Sequence, residues 1–289
     1  MVILSVVLMR YSNLEIDSPT NLFPKWGLND GPTGSWNSRF YTIGLVTASD
    51  VLITHCSFSD GAYPDEAEPV VFGRQIMRHD GMIDIPEGSD YVTVSYNKFI
   101  NHDKMHLVGN NDGYRGRVTK AAFTLRFMET GGSVHCRDPL GFGLARSTSS
   151  TTYTKGKTLE STNCGITYIG MGINSIILCK NNVFEIDVTT SMAPEDLIVG
   201  DYKGYNLNNM GSTFNGTSID LNEIATRNYN TVKTSEIAAA AAAGWTVADW
   251  ATHKYTNVAF EQPYKYKLEK VKDMKKEVMK KAGQRLNDY

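Results

Sequence analysis

Residues 80–104 read DGMIDIPEGSDYVTVSYNKFINHDK. Within them, residues 89–99 (SDYVTVSYNKF) follow a simple form: two polar residues, a mainly apolar run, two polar residues, one further residue and a Phe. The form returns at residues 49–58 (SDVLITHCSF) and 174–184 (NSIILCKNNVF), with a looser version over residues 2–16. Short apolar runs closed by turn residues predict strands. Strand units that recur with the same ends predict a β-solenoid, because each coil buries its inward face only by stacking on its neighbours. Asn and Ser at matching turn positions are then expected to form hydrogen-bonded ladders. Spacing alone leaves an ordinary β-sandwich of similar strands open.

The chain has 289 residues, enough for one large domain or two small ones with a substantial core. Its 41% hydrophobic and 21% charged content is ordinary for a soluble protein. A net charge of −2 gives no global pull toward nucleic acid or an anionic membrane, so neither is expected as a partner. An acidic polymer would need a local basic patch or a bridging cation. Cys56, Cys136, Cys164 and Cys179 match no zinc spacing, and their even number permits disulfides without requiring them. The opening MVILSVVLMR lacks a basic leader region and a small-residue cleavage site, and is too short to span a membrane. It reads as a buried strand. The chain is therefore expected to begin inside the fold, with N-terminal coils and any signal peptide missing.

Two regions depart from the strand pattern. Residues 118–155 are rich in Ser, Thr, Gly and Arg, with STSSTT at 147–152. From about residue 234 the chain reads helical, with an alanine run from Ala238 to Ala243 and then KYKLEKVKDMKKEVMKKAGQRL. Leu268, Val271, Met274, Val278 and Met279 recur there at roughly helical spacing among lysines. That pattern fits a polyanion-binding helix or an amphipathic helix packed on the domain with a solvated basic face; the second is the expectation. The division read from the sequence is a strand domain over 1–233 and a helical or extended segment over 234–289.

The chemistry concentrates in the opening stretch. Asp80 and Asp84 could hold a hard cation, since calcium takes several oxygen ligands and carboxylates supply both charge and geometry. On the bare spacing a solvated pair is the ordinary reading; Gly81 and the adjoining strand strengthen the case for a cation. Lys104 stands in a polar turn, where a lysine is ordinarily solvated; beside a cation it could grip a substrate carboxylate or stabilise an enolate-like intermediate. His102 reads as a hydrogen-bonded turn histidine rather than a base, and Asp103 as the group that orients Lys104.

The strings DG-x-IDI, GSDYVTVSYN-x-F, HDK and LVG, in this order and spacing, resemble pectate lyases. VLITHCSFSDG at 51–61 resembles the coil before that core, and residues 168–172 and 181–184 resemble coils after it. PYKYKLEKVKDMKKEVMKKAG resembles the closing segment. The resemblance implies an all-β fold, a right-handed single-stranded parallel β-helix with a helical C-terminal segment. It implies a secreted, monomeric, calcium-dependent enzyme that cleaves polygalacturonate in pectin by β-elimination, giving 4,5-unsaturated oligogalacturonides. By it Asp80 and Asp84 are Ca2+ ligands, and Lys104, with His102, engages the substrate. The reaction removes the C5 proton, α to the uronate carboxylate, and expels the C4 oxygen; the family base is an arginine.

The sequence departs from that family at four places. Tyr41 stands where another calcium-binding aspartate is found, Ile53-Thr54-His55 replaces IDH, and Pro86 replaces a lysine. The segment R-x-P-R-x-R-F-G…H-V-Y-N-N is absent, and RDPLGFGLARSTSSTT at 137–152 stands in its place. With permitted codons, that stretch read two bases later gives GPPRVRFGSVHVFNN, the missing segment. Residues 118–152 are accordingly expected to come from a frameshifted or mis-spliced stretch, with the frame restored near Tyr153. Arg137, before Pro139, is the remnant of the arginine motif in the chain as it stands. The alternatives are a non-catalytic pectate-binding β-helix protein and a galacturonan hydrolase, which would need two carboxylates flanking the scissile bond.

Overall fold

The computed structural model describes residues 42–59, 81–100, 106–108, 169–187, 198–200, 203–259 and 268–283, except 47, 86–88, 90 and 174. It also gives the backbone of strands at 10–11, 15–17, 70–71, 74–75, 119–134, 140–142, 145–150 and 153–158.

The strands stack in three parallel columns. The first runs Arg10–Tyr11, Leu52–Thr54, the first half of Thr93–Ile100, the first part of Thr119–Val134, Ala145–Ser150, Ile176–Lys180 and Asn206–Met210. The second runs Glu15–Asp17, Ser57–Ser59, the remaining parts of those two long strands, Tyr153–Thr158, Val183–Asp187 and Thr213–Phe214. The third runs Ile43–Gly44, Ile83–Ile85, His106–Val108, Leu140–Phe142, Ile169–Met171 and Val199–Gly200. Parallel neighbours need a long return path. Here that path is the rest of one coil, so Ile169↔Val199, Ile176↔Asn206 and Val183↔Thr213 all pair at one common offset.

The repeated sequence form has a structural meaning. Its two polar residues after the apolar run make a corner between the first and second columns. His55, Tyr96 and Asn181 hold that corner with φ of 56°, 55° and 52°, and Gly211 with 82°. Left-handed backbone is unusual for residues other than Gly. The residue after each faces inward: Cys56, Asn97, Asn182 and Ser212 are all fully buried. Asn97 satisfies itself as a cross-coil staple. Its Oδ1 accepts from the Cys56 N–H at 2.8 Å, and its Nδ2 donates to the Ile53 carbonyl at 2.9 Å. Ser89 repeats the device at another turn, donating to the Leu45 carbonyl at 2.7 Å and accepting from the Ala48 N–H at 3.2 Å. In place of the expected Asn and Ser ladders, Asn97 and Ser89 each bond to the main chain of the neighbouring coil.

Inside the stack, alternate strand residues pack in rows. Ile53, Phe58, Ile83, Ile85, Val94, Phe99, Val108, Ile177, Phe184 and Leu207 belong to one core. Phe58 and Phe99 stack with centroids 4.8 Å apart, and His106 meets Phe99 edge-on at 4.4 Å. Each buried ring of this kind contributes roughly 1.5–3 kcal/mol of burial free energy. Cys56 and Cys179 are buried; Cys136 and Cys164 lie outside the described residues.

Two helices complete the described chain. Helix α1, Leu221–Ala243, starts well ahead of residue 234, which falls inside it. Asp220 fixes the start, its side chain accepting from the N–H groups of Asn222 and Glu223, and Gly244 ends the helix at φ 69°. Leu221, Ile224 and Ala225 enter the main core, so α1 covers the last coil, where unpaired edges would otherwise be exposed. Helix α2, Val271–Lys281, packs Met274 and Val278 against Val183. The expected amphipathic packing is present, but its stripe is narrower than the spacing suggests. Leu268 precedes the helix and is 37% exposed, and Met279 is 53% exposed. Lys275 pairs with Glu185 at 2.7 Å. No described helix is long and apolar enough to cross a membrane.

Candidate functional site

The third column carries the candidate chemistry. Ile83–Ile85 is its central described carboxylate-bearing strand, held between Ile43–Gly44 and His106–Val108. Ile83 and Ile85 point into the core with no exposure, so the period of two places Asp84 on the opposite face. Asp84 is itself only 4% exposed. Its carboxylate lies against Gly81: a Cβ built on Gly81 would fall 1.9 Å from Asp84 Oδ1. The close approach of carboxylate to main chain exists because residue 81 has no side chain.

The row to which Asp84 belongs has little else on it. Its register partners run Gly44, Asp84, Leu107, Gly141, Gly170 and Gly200 from one coil to the next. Four of these six positions are glycine: Gly44 adjoins Asp84 and is exposed, Leu107 separates Asp84 from Gly141, and Gly170 and Gly200 are buried. The sequence reading missed this row. Its signal was present as an apolar residue followed by Gly at Ile43-Gly44, Ile169-Gly170 and Val199-Gly200, one pair per coil.

Of the residues singled out from sequence, Asp84 is described; Asp80, His102, Lys104 and Arg137 lie outside the described residues, as does Tyr41. Their places in the chain follow a rule nonetheless. Tyr41, Asp80, Lys104 and Arg137 each stand two or three residues ahead of the strands beginning at Ile43, Ile83, His106 and Leu140. Those four strands are consecutive neighbours in the third column. His106 differs from them in role, being buried in the core beside Phe99. Among the described residues, no group of three or more His, Cys, Asp or Glu side chains is placed to hold a metal ion.

A family model described as pectate lyase matches residues 5–285. The chain belongs to the pectate lyase family. A pectate lyase of Bacillus subtilis (strain 168) is 30% identical over 208 residues, covering 72% of this chain and 48% of that protein. Pectate lyase E of Dickeya chrysanthemi is 28% identical over 225 residues, covering 71% of this chain and 53% of its own. The chain thus spans about half the length of the curated pectate lyases it matches. A solved pectate lyase bound to a hexasaccharide superposes with a TM-score of 0.67 at 24% identity, over 94% of this chain and 60% of that one. A thermostable pectate lyase gives 0.66 at 24%, over 94% and 61%. The three-column architecture is therefore the fold of the pectate lyases.

Proposed function

We propose that this pectate lyase family member acts on polygalacturonate by calcium-dependent β-elimination, on a right-handed single-stranded parallel β-helix. The observation that carries the reading is Asp84, a buried carboxylate seated on Gly81 in the third column. A carboxylate is the ligand a hard cation prefers, and the cradle at Gly81 holds it in one place. The residues present thus fit calcium, with Asp84 and Asp80 as its protein ligands. Bound there, calcium would neutralise charge on the uronate carboxylate and acidify the adjacent C5 proton.

The chain's own residues do the rest. Lys104 and His102, just ahead of the strand beginning at His106, bind the substrate carboxylate. Elimination breaks the C5–H bond, forms the C4–C5 double bond and expels the C4 oxygen with a proton. Arg137, ahead of the strand beginning at Leu140, is the remaining candidate for the arginine that faces the C5 proton. An arginine ordinarily stays protonated, so its use as a base depends on close placement in a cationic field. By kinship with secreted enzymes, the protein acts outside the cell as a monomer.

A second reading, binding without turnover, is favoured by the sequence at 137–152, where RDPLGFGLARSTSSTT replaces the arginine motif. One assay separates the two: incubation with polygalacturonate, following the ultraviolet absorbance of unsaturated products with calcium and with chelator. Calcium-dependent product is expected for the lyase. Retention on a polygalacturonate column in calcium without product would establish the binding protein, and a folded chain that does neither would end both readings.

A further inference from the structure

We infer that Gly81 is a positioning residue for the Asp84 carboxylate. The three atoms nearest to a Cβ at Gly81 are Asp84 Oδ1 at 1.9 Å, its carboxyl carbon at 2.6 Å and Oδ2 at 2.9 Å. The whole carboxylate therefore rests on the α-carbon of residue 81, with one side closed by main chain.

The main chain from Gly81 to Asp84 is held by the strand of the coil before it. The Thr42 N–H donates to the Gly81 carbonyl at 3.2 Å, Ile43 to Met82 at 2.8 Å and Leu45 to Asp84 at 2.8 Å. These bonds oppose a backbone shift by a methyl group at residue 81, and the more easily moved partner is the Asp84 side chain, which turns about two single bonds. The backbone at Gly81 is not in the left-handed region, unlike Gly211 with φ 82°, where a Cβ would lie 2.5 Å from Asn181 Oδ1. Alanine is conformationally admissible at 81 and strained at 211. Gly81→Ala therefore acts through the carboxylate, and separates its orientation from its presence.

This inference rests on the calcium role proposed for Asp84. Its test is a double-mutant cycle read by calorimetric calcium titration and by melting without calcium, on the full chain, Gly81→Ala, Asp84→Ala and the pair. Gly81→Ala is expected to weaken calcium binding by about 10- to 100-fold, the range seen when a group that orients a metal ligand is lost. In the Asp84→Ala background it should weaken binding no further. Unchanged affinity in Gly81→Ala, or an equal further loss in both backgrounds, overturns the inference. If Gly81→Ala does not fold, refolding of the double variant would support the contact, and continued unfolding would overturn it. A parent chain that binds no calcium, or an Asp84→Ala variant that binds it as tightly as the parent, overturns the calcium reading itself. That pattern is distinct from loss in Asp84→Ala with none in Gly81→Ala.

Discussion

Two neighbouring strands of the stack are built differently. Thr93–Ile100 turns a corner at Tyr96, whose φ is 55°, and places Asn97 inside as a staple. Thr119–Val134, the next coil, runs through without that corner: Arg126 pairs with Ser95 and Phe127 with Asn97, so nothing opposes Tyr96. The shortfall continues in the following coil. Ser150 pairs with Cys179 and Tyr153 with Val183, leaving two residues opposite three. The recurring corner is the punctuation of this fold, and both register shortfalls lie within or beside residues 118–152. The alternative reading of 137–152 ends in Asn-Asn immediately before Tyr153. Its register partner, Val183, follows Asn181-Asn182. The shifted frame would thus replace Thr151-Thr152 with the pair that forms the corner one coil later.

The largest expected effect comes from removing this difference. Replacing residues 137–152 by GPPRVRFGSVHVFNN is expected to place Asn-Asn at the corner of the second of these coils, immediately before Tyr153, and supply the arginine motif. Lyase activity in calcium should rise by about 10²–10⁴-fold, the usual range for one proton-transferring group. Sequencing of the transcript offers a direct check, and a supported frame matching the present sequence throughout 118–152 would remove the frameshift. A smaller effect should follow from damaging the complete corner. Asn97→Ala takes away two buried hydrogen bonds and strands the Cys56 N–H, for a loss of about 2–3 kcal/mol in denaturant unfolding. A loss below about 0.5 kcal/mol would show that the staple is incidental. The smallest effect is expected at the exposed pair beside the shortened coils: Lys275→Ala should cost less than about 1 kcal/mol, because solvent screens its contact with Glu185.

Much of the architecture was legible because the corners are written in residues that need them. The runs at 49–58, 89–99 and 174–184 carry a corner pair at the same place; the first and third become two strands around one bend, and the second becomes one strand bent at Tyr96. The start of α1 was hidden by polar residues, since only Leu221, Ile224 and Ala225 mark its buried side before Tyr229. Met279 looked like core and is outside it, because Met274 and Val278 already fill the contact with Val183. At the candidate site, the Asp84 carboxylate could be read from its neighbours in sequence. Its seat on Gly81 could not, because it depends on the side-chain geometry within one turn, and the glycine row emerges only when the register of separate coils is known.

Helix α2 is tied at both ends to corners on either side of the irregular coils. Before it, the Glu269 carbonyl accepts from Asn181 Nδ2 at 2.7 Å; after it, the Gly283 N–H donates to the Tyr96 carbonyl at 2.8 Å. Between these ties it touches Thr119–Val134, Tyr153–Thr158 and Val183–Asp187. It therefore works as a splint, giving the stack a second load path that bypasses the two coils whose corners are short. A nick within those coils would leave the halves clasped, whereas a nick between Ala259 and Leu268 would leave the clasp held by its two ties and its packing alone.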